Sequence, residues 1–334
     1  MTKRGQLLVL GVGMASVAAL AQTQVQINGQ VRLSVNRVNA AGSSYSELRD
    51  NASRLGFKGS EDLGDGFKAL FGLEMGIEAD QGAVTSPNFR HSYVGLSSSR
   101  WGTMAMGRLD SATPAGSPIY SQVTAITSFA ANDAGLTAIG TSILNARNRT
   151  SNSIGYMSPS FAGFDMRARY YWRGQESLGE TEDAARSLDL GVNYHQGPLK
   201  LALGYASDSR EGGLKINEFD HKWQAGVRYD FGQVSPYLLY GRDSYRNSAT
   251  SRRNVDYWMA GVRWAQGPHA VVANVMRRDV QTSLTGVRKR YQVAYTYALS
   301  KRTEAQLFWD NDSVDSSRSK VRISGVGAGL RHNF

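Results

Sequence analysis

Residues Val321 to Phe334 read Val-Arg-Ile-Ser-Gly-Val-Gly-Ala-Gly-Leu-Arg-His-Asn-Phe. In an extended strand successive side chains point to opposite faces. Val326, Ala328, Leu330 and His332 then share one face and lead to Phe334, while glycines and Arg331 take the alternate positions. An apolar row at every second residue that finishes on an aromatic at a boundary is what a transmembrane β-barrel turns toward lipid. A strand that stops on an aromatic reads as a closing edge.

The same two-residue period runs through much of the chain. Val25, Ile27, Gly29, Val31, Leu33 and Val35 share one face, and Gln26, Asn28, Gln30, Arg32, Ser34 and Asn36 share the other. Later, Phe164, Met166, Ala168, Tyr170 and Trp172 alternate with Asp165, Arg167, Arg169, Tyr171 and Arg173. Such a pattern leaves one oily and one wet face. It fits a soluble sandwich, whose oily faces pack together, as well as a barrel whose oily face meets lipid.

Turn signals separate the two. They divide the chain into about sixteen segments, joined alternately by short connections such as Ser99-Arg100-Trp101, Gln196-Gly197-Pro198 and Gln266-Gly267-Pro268 and by longer polar ones. The longer ones are Ala79 to Asn88, Gln175 to Ala184, Ser209 to Glu218, Ser244 to Arg252 and Asp312 to Ser319. Short turns on one side and longer loops on the other belong to outer-membrane barrels. Aromatics at segment ends, including Tyr194, Tyr229, Phe231, Trp264 and Tyr297, suit the girdles at the two membrane interfaces. The expected fold is all-β, a 16-stranded antiparallel transmembrane β-barrel.

The first 21 residues stand apart. Lys3 and Arg4 precede an apolar run from Leu7 to Ala18, and Ala19-Leu20-Ala21 offers a cleavage site before Gln22. These are the parts of a secretory signal peptide, and the run is shorter than the roughly 20 residues of a spanning helix. Residues 1–21 are therefore expected to be removed, and residues 22–334 to form the barrel domain.

The chain of 334 residues has no cysteine, so neither disulfides nor thiolate chemistry are open to it. Its formal charge of +10 becomes +8 without Lys3 and Arg4. The basic residues are spread singly along strands, with no helix-turn-helix pattern, zinc spacing or compact Lys/Arg block, which argues against a nucleic-acid partner. The five histidines, His91, His195, His221, His269 and His332, lie on different strands without metal-ligand spacing. His332 is expected to face lipid and the others to sit near strand ends. Gly325-x-Gly327-x-Gly329 has no helix after it and so is no nucleotide loop. The residues call for no catalytic set, metal or cofactor.

One connection is much longer than the rest. Between Arg108 and Arg149 the segment 111–146 carries Pro114, Pro118 and several glycines together with Ile119, Tyr120, Val123, Ile126, Phe129 and Leu136. So long a loop is usually functional, and in a wide barrel a loop folded inward narrows a lumen that side chains cannot fill. This segment is expected to be the constriction loop.

Specific motifs agree. The chain resembles the general porins of Gram-negative outer membranes, the proteobacterial sixteen-stranded trimeric kind. The resemblance lies in Ser53-Arg54-Leu55-Gly56-Phe57-Lys58-Gly59-Ser60-Glu61-Asp62-Leu63-Gly64, in Tyr93-Val94-Gly95-Leu96 with Trp101-Gly102-Thr103, in Asn152-Ser153-Ile154 with Tyr156-Met157-Ser158-Pro159, and in the closing Gly325 to Phe334. It implies a homotrimer with one water-filled channel per subunit, a third loop folded into the lumen, and a basic cluster on the wall facing that loop. Carried onto this chain, the cluster falls at Arg54, Arg90 and Arg149; strand parity adds Arg32 and Lys58.

Relatives that prefer cations place carboxylates in that loop, whereas here the acids between Arg108 and Arg149 are only Asp110 and Asp133. Arginines without opposing charge concentrate anions in a narrow pore. Glu74, Glu78, Asp165, Asp189 and Glu304 are inward by parity and can oppose them, which leaves a nearly unselective pore as the alternative. The expected partners are small hydrophilic solutes and anions inside the barrel, with outer-membrane lipid and lipopolysaccharide outside it. An adhesin or receptor barrel and a barrel hydrolase are the other functional classes open to this architecture. Tyr171, Tyr237, Tyr257 and Arg263 are further lumen-facing candidates for a solute site.

Overall fold

A computed structural model describes residues 24–40, 42–110, 149–172, 186–210, 212–279, 286–317 and 320–334. The expected signal peptide, the segment 111–146 with Asp133, and the loop Gln175 to Ala184 lie outside the described residues. Seventeen strand segments follow one another: β1 (Gln24–Ala40), β2 (Ser43–Asp50), β3 (Ser53–Gly64), β4 (Phe67–Glu78), β5 (Ala83–Ser98), β6 (Gly102–Asp110), β7 (Arg149–Met157), β8 (Phe164–Trp172), β9 (Arg186–Gln196), β10 (Leu199–Ser209), β11 (Phe219–Tyr229), β12 (Val234–Arg246), β13 (Arg252–Gln266), β14 (His269–Asp279), β15 (Gly286–Ala298), β16 (Thr303–Ser316) and β17 (Lys320–Asn333).

They make sixteen staves, because β2 and β3 are two halves of one. Both lie against β1: Leu33 to Ala40 pairs with Ser43 to Asp50, and Gln24 to Gln30 with Arg54 to Ser60. The break falls at Asn51 and Ala52, where Ala52 adopts a φ of 65° and the Asn51 amide donates to the Arg32 carbonyl at 2.8 Å. Each stave pairs antiparallel with its neighbours, and β17 returns to β1 to close the ring. Closure leaves no unpaired edge, which is what a sheet in lipid requires.

Burial runs opposite to that of a soluble sandwich. Arg32, Ser34 and Asn36 are buried, while Ile27 is 64% exposed and Val31 and Val35 are exposed beside it. Lys222, Gln224, Arg290, Gln292 and Asp310 are buried too, and Leu203, Leu238, Val293, Leu307 and Leu330 lie outside. Among the described residues the apolar face therefore looks outward and the polar face inward, which resolves the ambiguity of the alternation. Exposed Phe164, Phe231, Tyr229, Tyr297 and Phe334 stand at the short-turn end, as an interface girdle requires. The Phe334 ring lies over Gly29, where a Cβ would overlap it, and the two residues exchange backbone hydrogen bonds of 3.1 Å.

Several strands run further toward the long-loop end than their alternation indicates. Ala83 to Asn88, expected as loop, belongs to β5, and β12 and β16 continue to Arg246 and Ser316. Backbone pairing persists there beyond the membrane, where both faces are wet and no hydrophobic contrast marks the strand.

Candidate functional site: a basic arc on the lumen wall

The site is built where the ladders are irregular. In the β4–β5 pair Glu74 stands opposite His91 and Met75 opposite Phe89, so Arg90 is an extra residue. A bulge of this kind re-aims the side chains beside it. Val94 and Leu96 are exposed on the outer face, and regular alternation from them would send Arg90 outward. The bulge turns Arg90 into the lumen next to His91. A second shift, between Gly107 and Leu109 on β6, precedes the pair Asp110 and Arg149. The third irregularity is the break at Ala52, two residues before Arg54. There Asp50 accepts from the Ser53 and Ala79 amides at 3.1 and 3.3 Å and pins the junction.

These devices bring Arg54, Arg90 and Arg149 onto one stretch of wall. Glu74 links the first two, at 3.5 Å from Arg54 Nε and 2.7 Å from Arg90 Nε. His91 lies between the acids, with Nδ1 3.6 Å from Glu74 and Nε2 2.8 Å from Asp110. Asp110 in turn lies 3.4 Å from Arg149 Nε. The order along the wall is Arg54, Glu74, Arg90, His91, Asp110, Arg149: three permanent cations around two carboxylates.

The arc continues on both sides. Arg32 is buried and donates to Gln306 at 3.0 Å; its cross-strand partner is Arg331, which donates to Glu304 at 3.2 Å. Beyond Arg149, Arg169 on β8 donates to Asp189 at 3.1 Å. On this arc six arginines stand against Glu304, Glu74, Asp110, Asp189 and Asp50. Lys58 shares the inward face but lies four residues along β3 from Arg54, about 13 Å nearer the short turns, and no ion pair holds it among the described residues. Glu78 sits at the β4–β5 turn, its carbonyl accepting from Gln81 and Gly82, and its carboxylate joins no ion pair among the described residues.

On the far wall four cations meet three carboxylates. Arg288 grips Asp312 through two contacts of 3.1 and 2.6 Å, Arg290 donates to Asp310 at 3.0 Å, and Arg278 and Lys222 share Asp243 at 2.7 and 3.9 Å. Asp310 and Asp312 thus face inward on arginines and are not surface loop acids. Tyr237, Leu239, Tyr257, Met259, Val272, Met276 and Phe308 form an apolar cluster on the same wall. Tyr237 and Tyr257 belong to that cluster, whereas Tyr171 is on β8.

Sequence reasoning missed His91 and Arg331 as members of the arc. His91 was expected at a rim; alternation from exposed Val94 and Leu96 by itself turns it inward, and the pairing stays regular up to it. Among the described residues no group of three His, Asp or Glu side chains is arranged to hold a metal ion.

Residues 7–317 match the family model of the Gram-negative porins. The chain belongs to the Gram-negative porin family. It is 35% identical over 221 residues to outer membrane porin protein 32 of Delftia acidovorans, a match covering 62% of this chain and 61% of that one. It is 26% identical over 224 residues to the major outer membrane protein P.IB of Neisseria gonorrhoeae, covering 64% and 60%. The matched stretch thus spans about three fifths of these relatives. A solved anion-selective porin from Comamonas acidovorans superposes with a TM-score of 0.77 at 25% identity, over 94% of this chain and 100% of the other. OmpT of Vibrio cholerae, lacking loop L8, shares the fold at 14% identity and a TM-score of 0.67. This porin is accordingly a protein of the outer membrane.

Proposed function

We propose that this porin is a water-filled channel through which small hydrophilic solutes cross the outer membrane by diffusion, with a preference for anions, and that it carries out no catalysis. The observation that carries the reading is the basic arc: Arg54, Arg90 and Arg149 share two carboxylates, a larger cationic excess in proportion than on the far wall, where four cations meet three carboxylates. The anion-selective character of the Comamonas structure supports it. A porin trimer, with one channel per subunit, is the assembly in which we expect the pore to work.

Mechanistically, the guanidinium groups hold an anion near the wall without enclosing it. Each remains partly paired with Glu74 or Asp110, so the attraction is shared and the ion leaves as easily as it enters, as conduction requires. Low-dielectric walls focus this field into the lumen.

The test is the reversal potential of single channels in a planar bilayer under a potassium chloride gradient. The parent protein is expected to favour chloride. Three charges ~8 Å from an ion contribute roughly 1.5 kcal/mol in water before salt screening, of opposite sign for the two ions. Screening over a Debye length of ~10 Å leaves about 0.7 kcal/mol per ion, so the R54Q/R90Q/R149Q variant should lose roughly tenfold in its chloride-to-potassium permeability ratio. A variant that keeps the parent ratio would remove these arginines from the selectivity mechanism.

A further inference from the structure

Around neutral pH arginines and carboxylates ordinarily keep their charges, whereas an imidazole changes its own. Among the described residues the basic arc holds one imidazole, that of His91, and it is wedged between the two acids. Its Nδ1 lies 3.6 Å from Glu74 on β4 and its Nε2 2.8 Å from Asp110 on β6. A neutral ring has one N–H and one lone pair, so one of the two carboxylates then faces the lone pair. The imidazolium turns an N–H toward each. The side chain is 22% exposed, so the lumen can supply and remove the proton.

The charged groups around the ring come from five strands. Arg90 and Tyr93 flank it on β5, with Arg90 2.7 Å from Glu74. Arg54 on β3 reaches the same Glu74 at 3.5 Å, and Arg149 on β7 reaches Asp110 at 3.4 Å. Arg108 on β6 is engaged with Ser151 at 2.8 Å. The cations oppose a further positive charge, and the carboxylates against the ring favour it. With a neutral ring, the three cations Arg54, Arg90 and Arg149 against Glu74 and Asp110 leave a net charge of +1; a protonated ring makes it +2. One proton therefore doubles the local excess.

The other histidines are placed differently. His195 also faces the lumen, 3.2 Å from Asp165, but it sits at the short-turn end of β9, away from the arc. His221, His269 and His332 adjoin the inward Lys222, Ala270 and Arg331 and so face outward. We infer that His91 is a specificity-determining residue of the channel, a fourth cation that joins the arc on protonation and raises the preference for anions as the surroundings turn acid. The inference rests on the arc being the element that selects ions.

The test is the reversal potential in a planar bilayer under a potassium chloride gradient, read for the parent, H91Q, H91R and H195Q at about pH 8 and about pH 5.5, which bracket an imidazole's usual range. One charge ~8 Å from an ion, screened over a Debye length of ~10 Å, changes the chloride-to-potassium permeability ratio about twofold. The parent ratio should rise by that factor on acidification. H91Q should keep the parent's alkaline ratio at both values, H91R should match the parent's acid ratio at both, and H195Q should respond as the parent does. A merely structural histidine would not move the ratio in opposite directions in H91Q and H91R. If H91Q does not fold, H91R decides, since a permanent charge there should abolish the response and leave the ratio high. A chloride-preferring parent whose ratio ignores acid overturns the inference, as does an H91Q that responds like the parent or a response that is lost in H195Q. A parent that prefers potassium at both pH values instead fails the anion-selective reading, while a rise with acid in the parent and its absence from H91Q still test His91 separately.

Discussion

Glu74 holds more of the basic arc than any other single residue described. It touches Arg54, Arg90 and His91, so its charge both restrains two guanidinium groups and subtracts from their field. E74Q keeps the shape and removes the charge. The chloride-to-potassium permeability ratio, read from the reversal potential, should rise by about two- to threefold, opposite in sign to the arginine variant. A fall in that ratio would mean that Glu74 acts mainly by positioning Arg90, whose displacement then outweighs the lost negative charge. At this scale the sequence was uneven as a guide. Arg54 and Glu74 are legible from parity, because regular ladders connect them to exposed Leu73 and Phe57. Arg90 was reached through family motifs, and parity alone would have placed it in lipid. A single extra residue reverses every side chain beyond it, and composition hardly records it.

Among the elements, β17 shows how a strand makes room for its neighbour. A Cβ on Gly327 would overlap the ring of Phe308 and the amide of Asn36, both inward-facing on the adjoining staves. G327A should therefore cost about 1–3 kcal/mol through overpacking, measured as a lower urea midpoint for unfolding from lipid vesicles. Adding F308L should restore most of the loss, while an unaltered midpoint for G327A would show that the ring swings aside freely. That glycines take the alternate positions of this strand is legible in the sequence. What they make room for, the Phe308 ring, is not, because the partner lies on another stave and only the register brings them together. Strand ends toward the long loops were equally hidden, since polar residues in paired backbone look the same in sequence as polar residues in loops.

The whole molecule is organised by an inverted core: oil outside, charge inside. Leu203, midway along β10 on the outer face, tests this directly. L203R should destabilise the folded barrel by about 2–4 kcal/mol if it lies near the bilayer midplane, read from equilibrium refolding into phosphatidylcholine vesicles. A neutral effect would place this row outside the hydrocarbon. Fold class and stave number were the most legible features of all, because they depend on many weak period-two signals that add up, whereas the site depends on three local exceptions to that period.

The seam between β1 and β17 sets a condition on how the molecule comes into being. The Arg32 to Gln306 contact joins residues 274 positions apart, and the ring cannot close until both ends of the sheet are present. Contacts so distant in sequence form slowly, and every stave laid down before closure leaves an open edge that hydrocarbon does not tolerate. Assembly is thus bound to end in a single late event that seals the sheet and admits it to the bilayer together, so the unfinished chain has to be kept from pairing with its neighbours on the way.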